Sequence, residues 1–416
     1  MSDNVLFKDL SANLKDIKDE SSRNKKVEKF ASFLDKAIQS PRTLIATVWL
    51  TLNKVGPNSE GVSVKLEDKK LFPEYMEAEI TVEPLTVVEV HEKLWNAARL
   101  PRNPEGNEAR RQAIGDLARR CSTRLEYSCL ERHLCECSQK LNFAEAGICE
   151  ALGVVFAKRF RGADVGKHIQ EEYGKLLLNA YNKCPDFGII INDVHYNGVE
   201  NISTRIQIQA GIPVCLMLAE KCTEKTLLPA KFSCEPKISS FRAQIHCLST
   251  GEVRIFDRNL FDITTKNLEI ATAVLGFVRE KSIDFIVDGV IEDPHAKEKK
   301  FSSPKLRNPG QERSEDIKAH FFAFDLLQYK GERIWSKPYQ ERSELLRTNF
   351  VEVPNIISFI AYEDCNNLEE LQESFSRFVE AGSNGVIVKD LASKYEFGKH
   401  SKSGSSSRRS LNTCES

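Results

Sequence analysis

Two domains of different class are predicted from this sequence, a helical N-terminal region followed by an α+β C-terminal region. At 416 residues the chain is long enough for two cores. Apolar residues in the first half recur every three or four positions, as on one face of a helix. Near residue 205 that texture gives way to short β-rich runs.

The elements follow in order. Residues 1 to about 25 are polar and charge-mixed, and are expected as a loose tail or a short helix. The helical domain is expected over 26 to 205. It begins with Val27, Phe30, Leu34 and Ile38 on one helical face; Ser40 then caps a second helix with Pro41 at its first position. That helix carries Leu44, Ile45, Val48, Trp49 and Leu52 and is expected to stop by Gly56-Pro57. Residues 90 to 135 are arginine-rich, including Arg110 and Arg111, with interleaved acids such as Glu105, Glu108 and Asp116. Two readings stay open: a solvated face with (i, i+4) pairs, or a non-specific grip on phosphates. The α+β domain is expected over 206 to 399. Strands are predicted at Glu252 to Phe256, Asp284 to Asp288 and Phe321 to Leu327. A polar insert from Lys297 to Ile317 reads as an exposed loop. Residues 400 to 416, containing SKSGSSSRRS, read as a flexible low-complexity tail.

Composition narrows the class. A net charge of -1 gives no overall nucleic-acid signature, so any phosphate contact must come from local basic patches. Twelve cysteines behind the polar start MSDNVLFKDL fit reduced thiols in an intracellular protein better than a disulfide framework. No apolar run approaches the roughly 18 residues of a membrane span, so no membrane association is expected. His133, Cys135 and Cys137 lack a second ligand pair downstream and read as buried helix residues.

One stretch concentrates chemistry: Lys231 to Cys247, KFSCEPKISSFRAQIHC. Its pattern predicts two strands meeting at a turn near Ser239-Ser240, with Lys237 beside that turn. A strand-end lysine is by itself most often solvated. In its setting, however, the stretch resembles motif I of the ATP-dependent DNA ligases. Phe232, Cys234, Glu235, Lys237, Arg242, Ala243, Gln244, Ile245 and His246 stand at matching positions, while the family's Asp-Gly is Ser239-Ser240 here. SPRTLIATVWLTLNKVGP resembles the opening helical hairpin of the replicative eukaryotic ligases' DNA-binding domain, and Gly211-Ile212-Pro213 the linker that leads into their catalytic domain.

The resemblance implies an all-α DNA-binding domain followed by an ATP-grasp-like nucleotidyltransferase (adenylation) domain, with the family's OB-fold domain missing. It implies ATP and Mg²⁺ as cofactors, with Lys237 as the nucleophile toward the ATP α-phosphate. It gives Glu235 to the adenine amino group, Phe324 to adenine stacking, and Arg242, Arg258 and Lys389 to the nucleotide and its phosphates. Arg110, Arg111 and Lys140 match DNA-contacting positions. The metal carboxylates depart from the pattern: Asp-x-Glu is Asp288-Gly289-Val290, with Glu292 two residues beyond, and the glutamate before the last glycine is Asn384. The terminal lysine motif has no counterpart.

Two functions are therefore expected as alternatives. One is nick binding and lysyl-AMP-mediated strand joining in DNA replication, repair or recombination. The other is a catalytically inactive relative, a pseudoenzyme, that binds DNA or a repair or replication partner. An mRNA-capping-type nucleotidyltransferase fits less well, because the N-terminal hairpin is ligase-like. The family implies nicked double-stranded DNA as partner, a monomer, and residence in the nucleus.

Overall fold

The computed structural model describes residues 5–62, 64, 83–134, 144–221, 228–238, 240–292, 319–398 and 400–408, the last stretch as backbone. The chain divides into two compact units, Met1–Gln207 and Ile208–Ser416.

The first unit is helical: α1 (Phe7–Asp19), α2 (Arg23–Leu34), α3 (Pro41–Thr51), α4 (Val87–Ala98), α5 (Pro104–Arg119), α6 (Arg124–Leu134), α7 (Glu145–Arg161), α8 (Lys167–Lys183), α9 (Phe187–Asn197) and α10 (Ile202–Arg205). Of the two forms expected for the N-terminal residues, the helix is the one present, as α1. Phe7, Leu10, Leu14 and Ile17 of α1 are buried at helical spacing, an apolar stripe hidden in the sequence by the surrounding charges. Val27, Phe30 and Leu34 of α2 are likewise buried. Ser40 caps α3 as expected, its side chain accepting from Thr43 N at 3.3 Å with Pro41 in the first position. The apolar stripe then buries Leu44, Val48 and Trp49. Helices α7 and α8 cross closely because Gly153 meets Gly174. A Cβ on Gly153 would lie 2.4 Å from the Gly174 nitrogen, so any larger residue would drive the helices apart.

The second unit holds two five-stranded sheets. Its elements are β1 (Leu218–Lys221), β2 (Phe232–Pro236), β3 (Phe241–Cys247), β4 (Val253–Asp257), α11 (Leu268–Phe277), β5 (Phe285–Glu292), β6 (His320–Tyr329), α12 (Tyr339–Asn349), β7 (Ile357–Phe359), β8 (Glu363–Cys365), α13 (Leu368–Glu380), β9 (Gly385–Asp390) and β10 (His400–Arg408). The first sheet has the order β1-β10-β9-β2-β8 and the second β4-β3-β5-β6-β7. Pairing is antiparallel except between β1 and β10 and between β6 and β7. Apolar faces of the second sheet pack on α11 and α12 through Val274, Phe277, Phe285, Leu346 and Phe350. The first sheet packs on α13 through Phe232, Val388, Leu371 and Phe378.

Two expectations change here. β2 and β3 are both strands, but they do not pair with each other: β2 lies between β9 and β8, and β3 between β4 and β5. The link from Lys237 to Ser240 thus carries the chain from one sheet to the other instead of closing a hairpin. Residues 400–408, expected as a flexible tail, form β10 alongside β9. Backbone pairing to an available edge needs no apolar side chains, which is why composition gave no sign of it. The predicted polar loop and Lys140 lie outside the described residues.

Candidate functional site

A pocket opens where the two sheets approach. Its walls include Glu235, Pro236 and Ile238 around the end of β2, Arg242 of β3, Val290 of β5, Phe324 of β6, Lys389 of β9, and Tyr395. Pro236 and Ile238 flank Lys237, whose backbone is pinned from both sides. Its N–H donates to Gly385 O at 2.9 Å, and its carbonyl accepts from Ser383 Oγ at 3.2 Å and Asn384 N at 3.4 Å.

Phe324 owes its placement to a register shift. Asp325 sits opposite Asp288 and Ala323 opposite Gly289, so Phe324 is the extra residue of a bulge in β6. Gly289 makes the close approach possible, because a Cβ there would lie 2.4 Å from the Phe322 carbonyl. Two cations lie over the Phe324 ring: Lys389 Nζ at 4.2 Å from its centre and Arg242 Cζ at 4.4 Å.

The polar groups form two buried networks. In the first, Lys389 Nζ pairs with Glu235 Oε2 at 2.8 Å, and the Tyr339 hydroxyl donates to Glu235 Oε1. Burial lowers the Lys389 ammonium from its ordinary value, although the Glu235 and Asp325 carboxylates oppose that shift. In the second, Arg242 donates Nε and Nη2 to the two oxygens of Asp288, each at 2.7 Å, and the Tyr395 hydroxyl donates to Asp288 Oδ2 at 2.6 Å. Burial works to lower the Arg242 guanidinium, but the Asp288 pairing outweighs it and leaves the value raised. Beneath the pocket, Arg342 of α12 makes a second buried fork to Asp325 at 2.7 and 2.9 Å.

Residues 216–403 match the family model described as the ATP dependent DNA ligase domain. The chain is 26% identical over 415 residues to DNA ligase 1 of Dictyostelium discoideum, covering 85% of this chain and 34% of that protein. It is 26% identical over 417 residues to DNA ligase 1 of Saccharomyces cerevisiae, covering 88% of this chain and 55% of that one. Residues 216–403 are an ATP-dependent DNA ligase domain. The chain spans about a third to just over a half of the length of these two relatives. The solved structure named Pmar-Lig_Pre shares the overall fold, with a TM-score of 0.50 and 14% identity, covering 96% of this chain and 77% of that one.

Within this ligase domain the structure brings Glu235, Arg242, Phe324 and Lys389 together around one pocket, with Lys237 between two of its wall residues. Arg258 is not among them. It is exposed in the turn after β4, where Asp257 Oδ1 accepts from Asn259 N and Phe261 N.

Four further expectations need correction. Arg110 cannot grip phosphate, because it is 1% exposed and its guanidinium caps the end of α4, donating to Ala97 O at 3.1 Å and Leu100 O at 2.7 Å. Its neighbour Arg111 does face solvent, paired with Glu108 at 2.8 Å. Asp288 is no open metal ligand, since Arg242 and Tyr395 hold it in the core. Glu292 lies at the end of β5 opposite His320 and is not among the pocket's lining residues, while Val290 is. Asn384 meets Lys237 through its backbone. Among the described residues no group of three His, Cys, Asp or Glu side chains could hold a metal ion.

Sequence reasoning missed Tyr339, Arg342, Asp325 and Tyr395. Asp325 alone left a signal, as an acid inside the otherwise apolar run FFAFDLL.

Proposed function

We propose that this chain binds ATP in the pocket between its two sheets and that Lys237 is the nucleophile for self-adenylation, the first step of ligase chemistry. The observation that carries this is the convergence of Glu235, Arg242, Phe324 and Lys389 from four strands on the pocket whose wall flanks Lys237. Glu235 offers acceptors to a base amino group, and the Phe324 ring offers an apolar face for a purine. Lys389 and Arg242 bring positive charge to phosphate oxygens. In the reaction, a neutral Lys237 Nζ attacks the α-phosphorus. A nitrogen–phosphorus bond forms as the bond to the bridging oxygen breaks, and pyrophosphate carries the electron pair away.

The family also uses Mg²⁺, and the residues present do not fit it. A divalent ion in such a site needs one or two carboxylates beside the phosphates. Asp288 is committed to Arg242 and Tyr395, and Val290 offers no donor, so no step here is routed through a metal. This same observation favours a second reading, a ligase relative that holds nucleotide and nicked duplex without joining strands. In either case the helical unit is the DNA-holding part, working as a monomer in the nucleus with replication or repair proteins. No helix among the described residues is long and apolar enough to cross a membrane.

The deciding test is intact mass after incubation with ATP and Mg²⁺, beside Lys237→Ala. A gain of one AMP, absent in the variant and reversed by pyrophosphate, supports the enzyme, and sealing of nicked duplex is then assayed. No adduct, with salt-dependent duplex binding retained, leaves the binding protein.

A further inference from the structure

Glu235 already has a donor on each carboxylate oxygen inside the pocket. Lys389 Nζ holds Oε2 at 2.8 Å, and the Tyr339 hydroxyl holds Oε1. All three are buried: Glu235 is 1% exposed, Tyr339 2% and Lys389 8%. Tyr339 is the first residue of α12, directly after Pro338, so the helix start fixes where its ring stands. The same hydroxyl lies 3.5 Å from Lys389 Nζ and from the Phe324 carbonyl, tying it to three wall residues.

We propose that Tyr339 is a positioning residue that sets the base selectivity of the nucleotide site by holding the Glu235 carboxylate as a fixed acceptor. This rests on the nucleotide-binding reading above. The terminal torsion of a glutamate is broad, so a carboxylate held through one oxygen can turn its other oxygen away from an unsuitable ligand. A second donor removes that escape. An ionised carboxylate only accepts, while adenine carries an amino donor at its 6-position and guanine a carbonyl acceptor there. A fixed acceptor therefore welcomes adenine and meets guanine oxygen to oxygen, and a site with buried polar groups rejects a mispaired ligand strongly. Burial, with the Glu235 and Asp325 carboxylates nearby, holds the Tyr339 phenol well above the ordinary tyrosine range, so it remains a donor.

The test is calorimetric titration of the full chain with ATP and with GTP in the wild type, Y339F, E235Q and the double variant. The wild type is expected to prefer ATP. Y339F should lower the ATP-to-GTP affinity ratio about tenfold, the size of one lost hydrogen bond to a charged group. E235Q should lower it as well, and the double variant should fall no further, because the tyrosine acts through the glutamate. The proposal is overturned if both affinities in Y339F fall together with the ratio unchanged, as a merely structural tyrosine would give, or if the two substitutions add. Equal wild-type affinity for the two nucleotides overturns this inference alone, whereas no binding of either removes the nucleotide reading beneath it. Should Y339F fail to fold, E235Q decides: it keeps the tyrosine's packing, and an unchanged ratio there overturns the proposal.

Discussion

Arg242 and Asp288 form a two-pronged ion pair across neighbouring strands, Nε to Oδ1 and Nη2 to Oδ2, both at 2.7 Å. The aspartate is fully buried and takes a third hydrogen bond from Tyr395, which in turn accepts from Met217 N at 3.0 Å. One carboxylate thereby ties β3, β5, the segment before β1 and the segment after β9 into one pocket wall. The residue that the family pattern offers as a metal ligand is here a structural anchor.

Asp288→Ala should accordingly behave as a stability mutation. Removing one partner of a buried pair strands the other, so the loss should be about 3 kcal/mol in urea denaturation of the full chain. A loss below about 1 kcal/mol would contradict the anchoring role, since that is the range of exposed pairs.

Arg110 and Arg111 are adjacent in sequence and should separate by experiment. Arg110→Leu leaves the Ala97 and Leu100 carbonyls without their donor, costing about 2 kcal/mol of unfolding free energy. Arg111→Ala should leave stability nearly unchanged. If the helical unit grips duplex DNA through Arg111, the same change lowers the salt slope of binding, read by fluorescence anisotropy, by about one. Equal stability for the two variants would sink this division of roles.

His246 supplies a pH prediction. Its Nδ1 accepts from Gly211 N at 3.2 Å and its Nε2–H donates to Gln244 Oε1 at 3.0 Å, an arrangement that requires the neutral ring. Burial, with Arg254 adding to it, pushes the imidazole down to about 3. A folded value below the unfolded one means that the unfolded chain binds the extra proton. The stabilisation is therefore full above pH about 6.5 and is lost as pH falls toward 3. Between pH 6.5 and 5 the loss should reach about 2 kcal/mol from this group. Urea curves at pH 7 and 5 for the wild type and His246→Gln check it, and the variant should lose correspondingly less. His133 of α6, also pushed down to about 3, adds a loss of the same sign in both proteins.

What the sequence made legible was local chemistry and motif order. Ser40 and Pro41 announce α3 because a cap and a proline act within one helical turn. Glu235, Arg242, Phe324 and Lys389 could be named because they sit in short motifs. What stayed hidden depends on tertiary pairing. Nothing local says that Tyr339 reaches Glu235, 104 positions away, or that Arg342 reaches Asp325. The β2–β3 hairpin failed for a related reason: its turn residues are suitable, but strand partners are chosen by the sheets. The Arg110 error came from counting charge without knowing which face of α5 is buried.

Val290 offers the most informative substitution for the metal question. It sits on β5 opposite Arg242 and Phe322 and lines the pocket, at the position where the family pattern carries a glutamate. In the wild type, ATP binding should respond little to replacing a chelator with Mg²⁺, because the carboxylates that line the pocket are already paired, Glu235 with Lys389 and Tyr339 and Asp325 with Arg342. Val290→Glu places a carboxylate in the pocket wall opposite Arg242, where a divalent ion bridging it to phosphate would screen the new charge. Mg²⁺ should then strengthen ATP binding by about tenfold or more in the variant, the effect of adding a ligand to a metal site. Calorimetry with and without Mg²⁺ reads this directly, and the mass of the Lys237 adduct reads whether the gain reaches chemistry. Mg²⁺ responses of equal size in the two proteins would mean that the ion is recruited by other groups, and that the loss of this carboxylate does not explain any catalytic deficit. A response confined to the variant, without an adduct, would separate metal capture from phosphoryl transfer and move attention to Ser239-Ser240, which stand where the family has Asp-Gly.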